Sequence, residues 1–283
     1  PNPRGLAKRE FKWKKGGGES DPRQSGARAF IEDLATRGRH HFTSREARQA
    51  LQASSNATAK ALARLIEHGH LASPERGFYV VVPPEYRSLG CLPAEQFVPA
   101  LMGIHGFPYY AGLLSAAQFH GAAHHRPQQF QVMLTKNRRP IACGKVRVAF
   151  VARKRVEEVP VVHLNTPRGP IRVSTPEATA VDLVGYVDHA GGLDQVATVL
   201  AELAERIDPD RLPIAAATAP LHWAQRLGYL LEFVGAANQA VPLKHYVRET
   251  ARDYAPLVSA GPRNGTRSVD WKLLVNAAVE VDA

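Results

Sequence analysis

Only two cysteines, Cys91 and Cys143, occur in 283 residues. That is too few for a disulfide framework or a zinc knuckle, and free thiols in a cytosolic protein are the simpler reading. The chain has no apolar run of transmembrane length and no signal-peptide pattern, so the expectation is a soluble, cytoplasmic protein with no membrane partner. Catalytic signatures are missing too: there is no P-loop, no GxSxG, no HExxH and no Walker-type acid. Acidic residues are outnumbered, 26 against 36 Lys and Arg, and they do not cluster. Glu157-Glu158 before Val-Pro reads as a solvated turn. Glu177 and Asp182 lie close in sequence but on one helix, whereas a nuclease wants acids and a lysine on adjoining strands. His120, His124 and His125 form an HxxxHH cluster with a metal-compatible spacing. No carboxylate or cysteine lies nearby in sequence, so structural histidines are the better reading. Neither catalysis nor a cofactor nor a metal is expected, and no internal repeat is visible.

What is present is a local grammar of helix, turn, helix and hairpin in residues 40–82. Thr43 followed by Glu46 is a capping box, and Ala47, Ala50 and Leu51 give the short helix behind it an apolar stripe. Ser54 and Ser55 can cap a second helix that runs to about His68 and ends at Gly69. Along it Ala61, Leu62, Leu65 and Ile66 recur at helical spacing and are expected in the core. The opposite face carries Ser55, Asn56, Ala59, Lys60 and Arg64, with no carboxylate before Glu67. Leu71-Ala72, a turn over residues 73–77 and the strand Phe78 to Val82 then make a hairpin. An earlier helix, about Ala27 to Arg37, supplies Ala27, Phe30, Ile31 and Leu34 to a three-helix core. This is the order of a winged helix-turn-helix, which lays its second helix in the DNA major groove. The candidate DNA contacts are Arg45, Ser55, Asn56, Thr58, Lys60, Arg64 and, in the hairpin turn, Arg76. A small helical subdomain without a ligand is the bland alternative.

Charge points the same way. The net balance is +10, and the excess is concentrated towards the N-terminus: residues 1–23 hold seven Lys and Arg against three acids. A basic excess attracts polyanions and supplies affinity through counterion release. Residues 1–24 read as a flexible basic arm whose Lys12, Trp13, Lys14 and Lys15 can follow a phosphate backbone, or as a disordered extension.

The winged module is expected over residues 25–84, ending at Pro83-Pro84. Residues 88–283 form a second, larger domain. Helices are expected over Pro93–Ile104, Tyr110–Gly121, Leu193–Ile207, Leu221–Val234 and Lys244–Asp253. Strands are expected at Phe130–Leu134, Val146–Val151, Val161–Leu164 and Gly169–Val173, with strand-like segments at Trp271–Val275 and Val279–Val281. Ser174 and Glu177 read as a second capping box around Pro176. Strands followed by helices argue an α+β class: a winged helix-turn-helix, then a larger mixed β-sheet and helix domain.

Polar residues in this second part need partners. Asp182, flanked by Val181, Leu183 and Val184, needs a cation or N–H groups if it is buried. Arg226 is the expected mate in a structural ion pair, with an anion or RNA contact as the alternative. Tyr110, Ser115 and His120 can line a surface groove, or serve as a helix cap and buried hydrogen bonds.

Four runs carry a resemblance: YYAGLLSAAQFHG, STPEATAVDLVGY, QRLGYLLEFVG and NGTRSVDWKLLVNAAVEVD. Their order and spacing behind a winged helix-turn-helix resemble the AbiEi family of antitoxin-type transcriptional regulators, over roughly residues 27 to 283. The pattern carries over at Tyr110, Ser115, His120, Gly121, Thr175, Pro176, Glu177, Ala178, Asp182, Leu183, Arg226, Leu227, Gly228, Trp271, Asn276 and Glu280. The stretch from Lys136 to Val173 matches less distinctly. The resemblance implies a repressor that binds repeated operator sites in double-stranded DNA upstream of its own toxin–antitoxin operon. It also implies a C-terminal antitoxin domain that counters a nucleotidyltransferase-like toxin without a stable complex. An RNA- or tRNA-binding protective module and a solitary regulator without a toxin are the alternatives.

Overall fold

The computed structural model describes residues 22–122, 128–262 and 264–281. Residues 1–21 of the expected basic arm, and His124 and His125, lie outside the described residues; residues 22–24, also expected in the arm, instead open the first helix.

The N-terminal body runs α1 (Pro22–Thr36), β1 (His41–Thr43), α2 (Ser44–Leu51), α3 (Ser55–Glu67), β2 (Leu71–Glu75) and β3 (Phe78–Val81). Its sheet has the order β1-β3-β2, all antiparallel. The capping box forms: Thr43 Oγ1 accepts the Glu46 N–H at 3.3 Å, and Glu46 Oε2 accepts the Thr43 N–H at 2.7 Å. Arg39 holds the same carboxylate at 2.5 Å. Burial raises the Glu46 pKa, but the bonds from Arg39 and Thr43 outweigh it and hold the group below its ordinary value. Gln52, in the left-handed conformation at φ 47°, makes the tight turn between α2 and α3. Ser54 accepts the Ala57 N–H and starts α3. Gly69, at φ +69°, ends it as expected. The core of this body joins Ala27, Ile31, Leu34, Phe42, Ala47, Ala61, Leu62, Leu65 and Leu71. Ile66 does not belong to it; it is 39% exposed, because residues 58, 61, 62 and 65 form the inward stripe and 66 lies beyond its edge.

Pro83 and Pro84 end the hairpin and open a 3-10 turn, Pro84–Tyr86. Beyond it come α4 (Ala94–His105), β4 (Tyr109–Ala111), α5 (Leu113–Phe119), β5 (Phe130–Leu134), β6 (Ile141–Cys143), β7 (Val146–Ala152), β8 (Val161–Thr166) and β9 (Gly169–Ser174). The six strands make one mixed sheet in the order β6-β7-β5-β4-β9-β8. Side-chain alternation divides its faces. Tyr109, Ala111, Val132, Leu134, Val148, Ile171 and Val173 face α4, while Tyr110, Met133 and Val151 face the helical layer. That layer is α6 (Pro176–Gly185), α7 (Leu193–Leu203), α8 (Leu212–Ala216), α9 (Leu221–Phe233) and α10 (Ala237–Thr250). A small sheet of β10 (Ala255–Pro256), β11 (Thr266–Ser268) and β12 (Leu273–Val275) closes the chain in the order β10-β12-β11. The α+β class holds.

The two bodies share a core. Ala72, Phe78, Val80 and Val82 of the hairpin pack in one cluster with Phe97, Leu101, Met102 and Cys143. The hairpin is thus roofed on one side by the second body, and at its tip Glu75 bonds Arg138 and, at 3.1 Å, His105.

Several element boundaries differ from expectation. Tyr110 lies on β4, not in a helix. Two adjacent aromatics suit a strand, and Gly112 breaks the run where an added Cβ would meet Met133 Cγ at 2.5 Å. The capping box over Ser174 and Glu177 does not form: Thr175 is the N-cap and accepts the Ala178 N–H. That leaves Glu177 at the second helical position, too early to reach back. The α-helix over Leu193–Leu203 gives way to a 3-10 turn at Ala204–Arg206. The last helix begins at Ala237, seven residues before the expected start, holds Pro242 inside it and ends at Thr250. At the C-terminus β12 pairs with Thr266–Ser268 and Ala255–Pro256, not with residues 279–281.

Candidate nucleic-acid interface and antitoxin-domain residues

Helix α3 packs on α1, α2 and β2. Its outer face is solvent-exposed at Ser55, Asn56, Ala59, Lys60, Ala63 and Arg64. Arg45 and Arg48 on α2 and Arg76 in the hairpin turn are exposed as well. Arg48 donates to Ser55 Oγ at 3.3 Å, which ties α2 to the first turn of α3. Ser44 donates its N–H to Gly77 O at 2.9 Å, so the hairpin turn lies beside the start of α2. A groove of about 240 Å³ runs between α2, α3 and β3, bordered by Arg45, Arg48, Ser55 and Tyr79. Its cationic rim and the N–H groups of the first α3 turn both favour an anion.

One expected contact is misplaced. Thr58 is 3% exposed and heads the inward stripe, so it faces the core and not a duplex. Its hydroxyl has no hydrogen-bond partner among the described residues.

In the second body the motif residues point mainly inwards. Asp182, fully buried on α6, accepts the Tyr110 hydroxyl at 2.6 Å and the Arg153 Nε–H at 2.7 Å. Arg226 is not its partner; Arg226 donates to Pro256 O at 3.0 Å and Ser259 Oγ at 2.7 Å, bracing the loop after β10. Arg153, the residue after β7, also donates to Thr218 O and Thr218 Oγ1. Burial pushes the Asp182 carboxyl up, opposed by the charge of Arg153 and the hydroxyl of Tyr110. Burial and the neighbouring Asp182 drive the Tyr110 phenol up as well, and burial first, then Asp182, carry Tyr186 up to about 12. The result is an internal lock between sheet and helices.

The other motif positions have comparable tasks. Ser115 Oγ accepts the Gln131 N–H at 2.9 Å and borders a cavity of about 580 Å³ between α4, α5 and the starts of β5 and β7. His120 Nε2 lies 2.7 Å from Ser174 O. Pro176 occupies the first turn of α6 behind the Thr175 cap. Glu177 Oε1 accepts the Asp208 N–H at 2.9 Å. Trp271 is fully buried, donates its indole N–H to Glu232 at 2.7 Å and lies flat on Gly228, where an added Cβ would fall 1.9 Å from the ring. Gly185 makes the same close approach to Trp223, at 2.4 Å. Asn276 accepts the Val258 N–H and donates to Val258 O and Pro262 O, each at 2.9 Å. Glu280 is exposed and docks through its N–H on Asp194.

Sequence reasoning missed Arg153, which lies in the stretch with the weakest motif match. The available signal was indirect: a carboxylate set among Val and Leu on a helix demands a buried cation somewhere. Among the described residues no group of three or more His, Cys, Asp or Glu is placed to hold a metal. No helix is long and apolar enough to cross a membrane, again among the described residues.

Two helices joined by a tight turn, the hairpin behind them and a mixed sheet covered by helices make an α+β protein. Residues 110–233 match the family model described as the AbiEi antitoxin C-terminal domain. The chain therefore carries an antitoxin domain of that family, the type found in toxin–antitoxin systems. Among solved structures it is similar to the RV2827C protein from Mycobacterium tuberculosis, with 17% sequence identity and a TM-score of 0.64. The likeness covers 88% of this chain and 91% of that one, and shows a shared fold. No curated protein matches the sequence.

Proposed function

We propose that this chain is a DNA-binding transcriptional repressor that controls its own toxin–antitoxin operon and serves as antitoxin to a nucleotidyltransferase-like toxin. Residues 25–84 form the DNA-reading body and residues 88–283 the antitoxin body. The observation that carries the reading is the outer face of α3. Small polar groups and the cations Lys60 and Arg64 stand exposed on a capped helix, with a second basic helix at its start and a hairpin turn bearing Arg76 beside it. A helix of this width fits the major groove, and flanking Arg and Lys on the backbone set its register. The protein acts in the cytoplasm, by a non-catalytic route, and its toxin need not be held in a stable complex.

The test is fluorescence anisotropy with a labelled duplex taken from upstream of the operon. Binding falls steeply as salt rises, because each phosphate contact releases counterions. Unlabelled operator competes, and tRNA at equal nucleotide concentration does not. Competition by tRNA at parity with operator would replace the reading with RNA protection.

A further inference from the structure

A cavity lies where the hairpin tip meets the second body. Gly106, at φ +65°, ends α4 in the left-handed conformation, and its neighbour Phe107 is turned outward, 44% exposed. The Phe107 ring stacks on His105, with centroids 5.3 Å apart and 12° between the planes. Arg138, from the loop between β5 and β6, carries its guanidinium to 5.7 Å from the Phe107 centroid and 5.2 Å from that of Phe150. His105, Phe107 and Arg138 border this cavity of about 670 Å³, with Pro74, Leu134 and Ile141 among its apolar walls. That volume lies in the usual range of small-molecule sites, about 300–1,000 Å³.

The charge of the lining is unbalanced. Lys136, Arg138 and Arg139 face a single carboxylate, Glu75. Glu75 is already engaged by Arg138 and His105. Lys136 and Arg139 are exposed and form no hydrogen bond or ion pair with the described residues. An aromatic platform, apolar walls and two uncommitted cations select a flat ring that carries a negative group.

We propose that this cavity binds a nucleoside phosphate. The base extends the His105–Phe107 stack, and the phosphate is held by Lys136 and Arg139. Base–aromatic stacking with cationic backbone contacts is how single-stranded nucleic acid is bound without sequence readout. A free nucleotide and a nucleotide within a single strand present the same chemistry. The occupant touches Glu75 at the hairpin tip and Arg138 of the antitoxin body together. The site does not depend on the operator-binding reading, since none of its residues lies on α3.

The experiment is isothermal titration calorimetry on the full chain with ATP, CTP, sodium triphosphate and a thymidine hexanucleotide as separate probes. ATP or CTP binds saturably at one per chain, and Phe107→Ala weakens it at least about tenfold, the scale of one lost stack. Lys136→Ala with Arg139→Ala weakens it comparably, while Phe107→Tyr retains it. Triphosphate alone binds less tightly and ignores Phe107→Ala. If the hexanucleotide binds with the Phe107 dependence and the free nucleotides do not, the occupant is a nucleotide within a strand. The proposal is overturned if no probe binds at one per chain. It is equally overturned if Phe107→Ala, shown to be folded by its unchanged thermal transition, binds as the parent does. Triphosphate binding as tightly as ATP would also overturn it, leaving a charge patch without a base site.

Discussion

Replacing Arg153 with Met should unlock the second body. The Asp182 carboxylate is fully buried, and Arg153, 3% exposed, is its cationic partner at 2.7 Å. Met fills much of the side-chain volume but leaves the carboxylate, among the described residues, with the Tyr110 hydroxyl alone. Breaking a buried pair by removing one partner costs about 3–5 kcal/mol, because the remaining charge stays desolvated. A domain with about 5–15 kcal/mol of total stability loses a large share of it. Tyr110→Phe removes one bond to a charged acceptor and should cost less, about 1.5–3 kcal/mol. The double variant Arg153→Met with Asp182→Asn should recover part of the loss, since no uncompensated charge is left behind. Urea unfolding followed by tryptophan fluorescence measures all of these, because Trp223 lies 5.9 Å from the Arg153 guanidinium and reports on the site. Arg226→Met serves as the reference: it loses its bonds to Pro256 and Ser259 but shows no coupling to Asp182 in a double-mutant cycle. An Arg153→Met cost below about 1 kcal/mol, or a coupling of Asp182 to Arg226 in place of Arg153, would refute the assignment.

Three further outcomes follow from particular contacts. Gly228→Ala forces a Cβ into the Trp271 ring, and should lower stability by about 1–3 kcal/mol despite the better helix propensity of Ala; an unchanged urea midpoint would mean that the two elements can separate at no cost. Thr58→Val replaces a buried hydroxyl that has no partner among the described residues by a methyl group, and should leave stability equal or raised by up to about 1–2 kcal/mol with DNA affinity unchanged; a loss above about 1 kcal/mol would reveal a partner for the hydroxyl. Glu46 has a depressed pKa, so its capping contribution is complete above its ordinary value of 4.5 and is lost as the pH falls through the depressed value. Thermal unfolding of Glu46→Gln should therefore lack part of the acid-side decline of the parent, and identical pH profiles would contradict the linkage.

The N-terminal body was legible because its signals are local. A capping box at Thr43 and Glu46, a Ser cap before α3 and a glycine after it each fix a helix end within four residues, and the structure keeps all three. The β-branched runs of β5, β7, β8 and β9 were equally readable. What escaped depends on distant partners. β1 and β6 are three residues long and exist because β3 and β7 pair with them. Arg153 finds Asp182 across 29 positions, and no local pattern announces such a pair. The interior position of Thr58 was within reach, since residues 58, 61, 62 and 65 obey the helical period, yet Thr58 stood among the candidate DNA contacts. The close packing of Gly228 on Trp271 accounts physically for two of the motifs behind the family resemblance.

Under the proposed function the outer face of α3 reads DNA. The direct measurement is the equilibrium affinity of Lys60→Ala and Arg64→Ala for the upstream duplex, at one fixed salt concentration and beside the parent protein. Each variant should lose about 1–3 kcal/mol where the side chain reaches a base edge, with its thermal transition unmoved. Full parental affinity in both variants would mean that α3 does not contact the duplex.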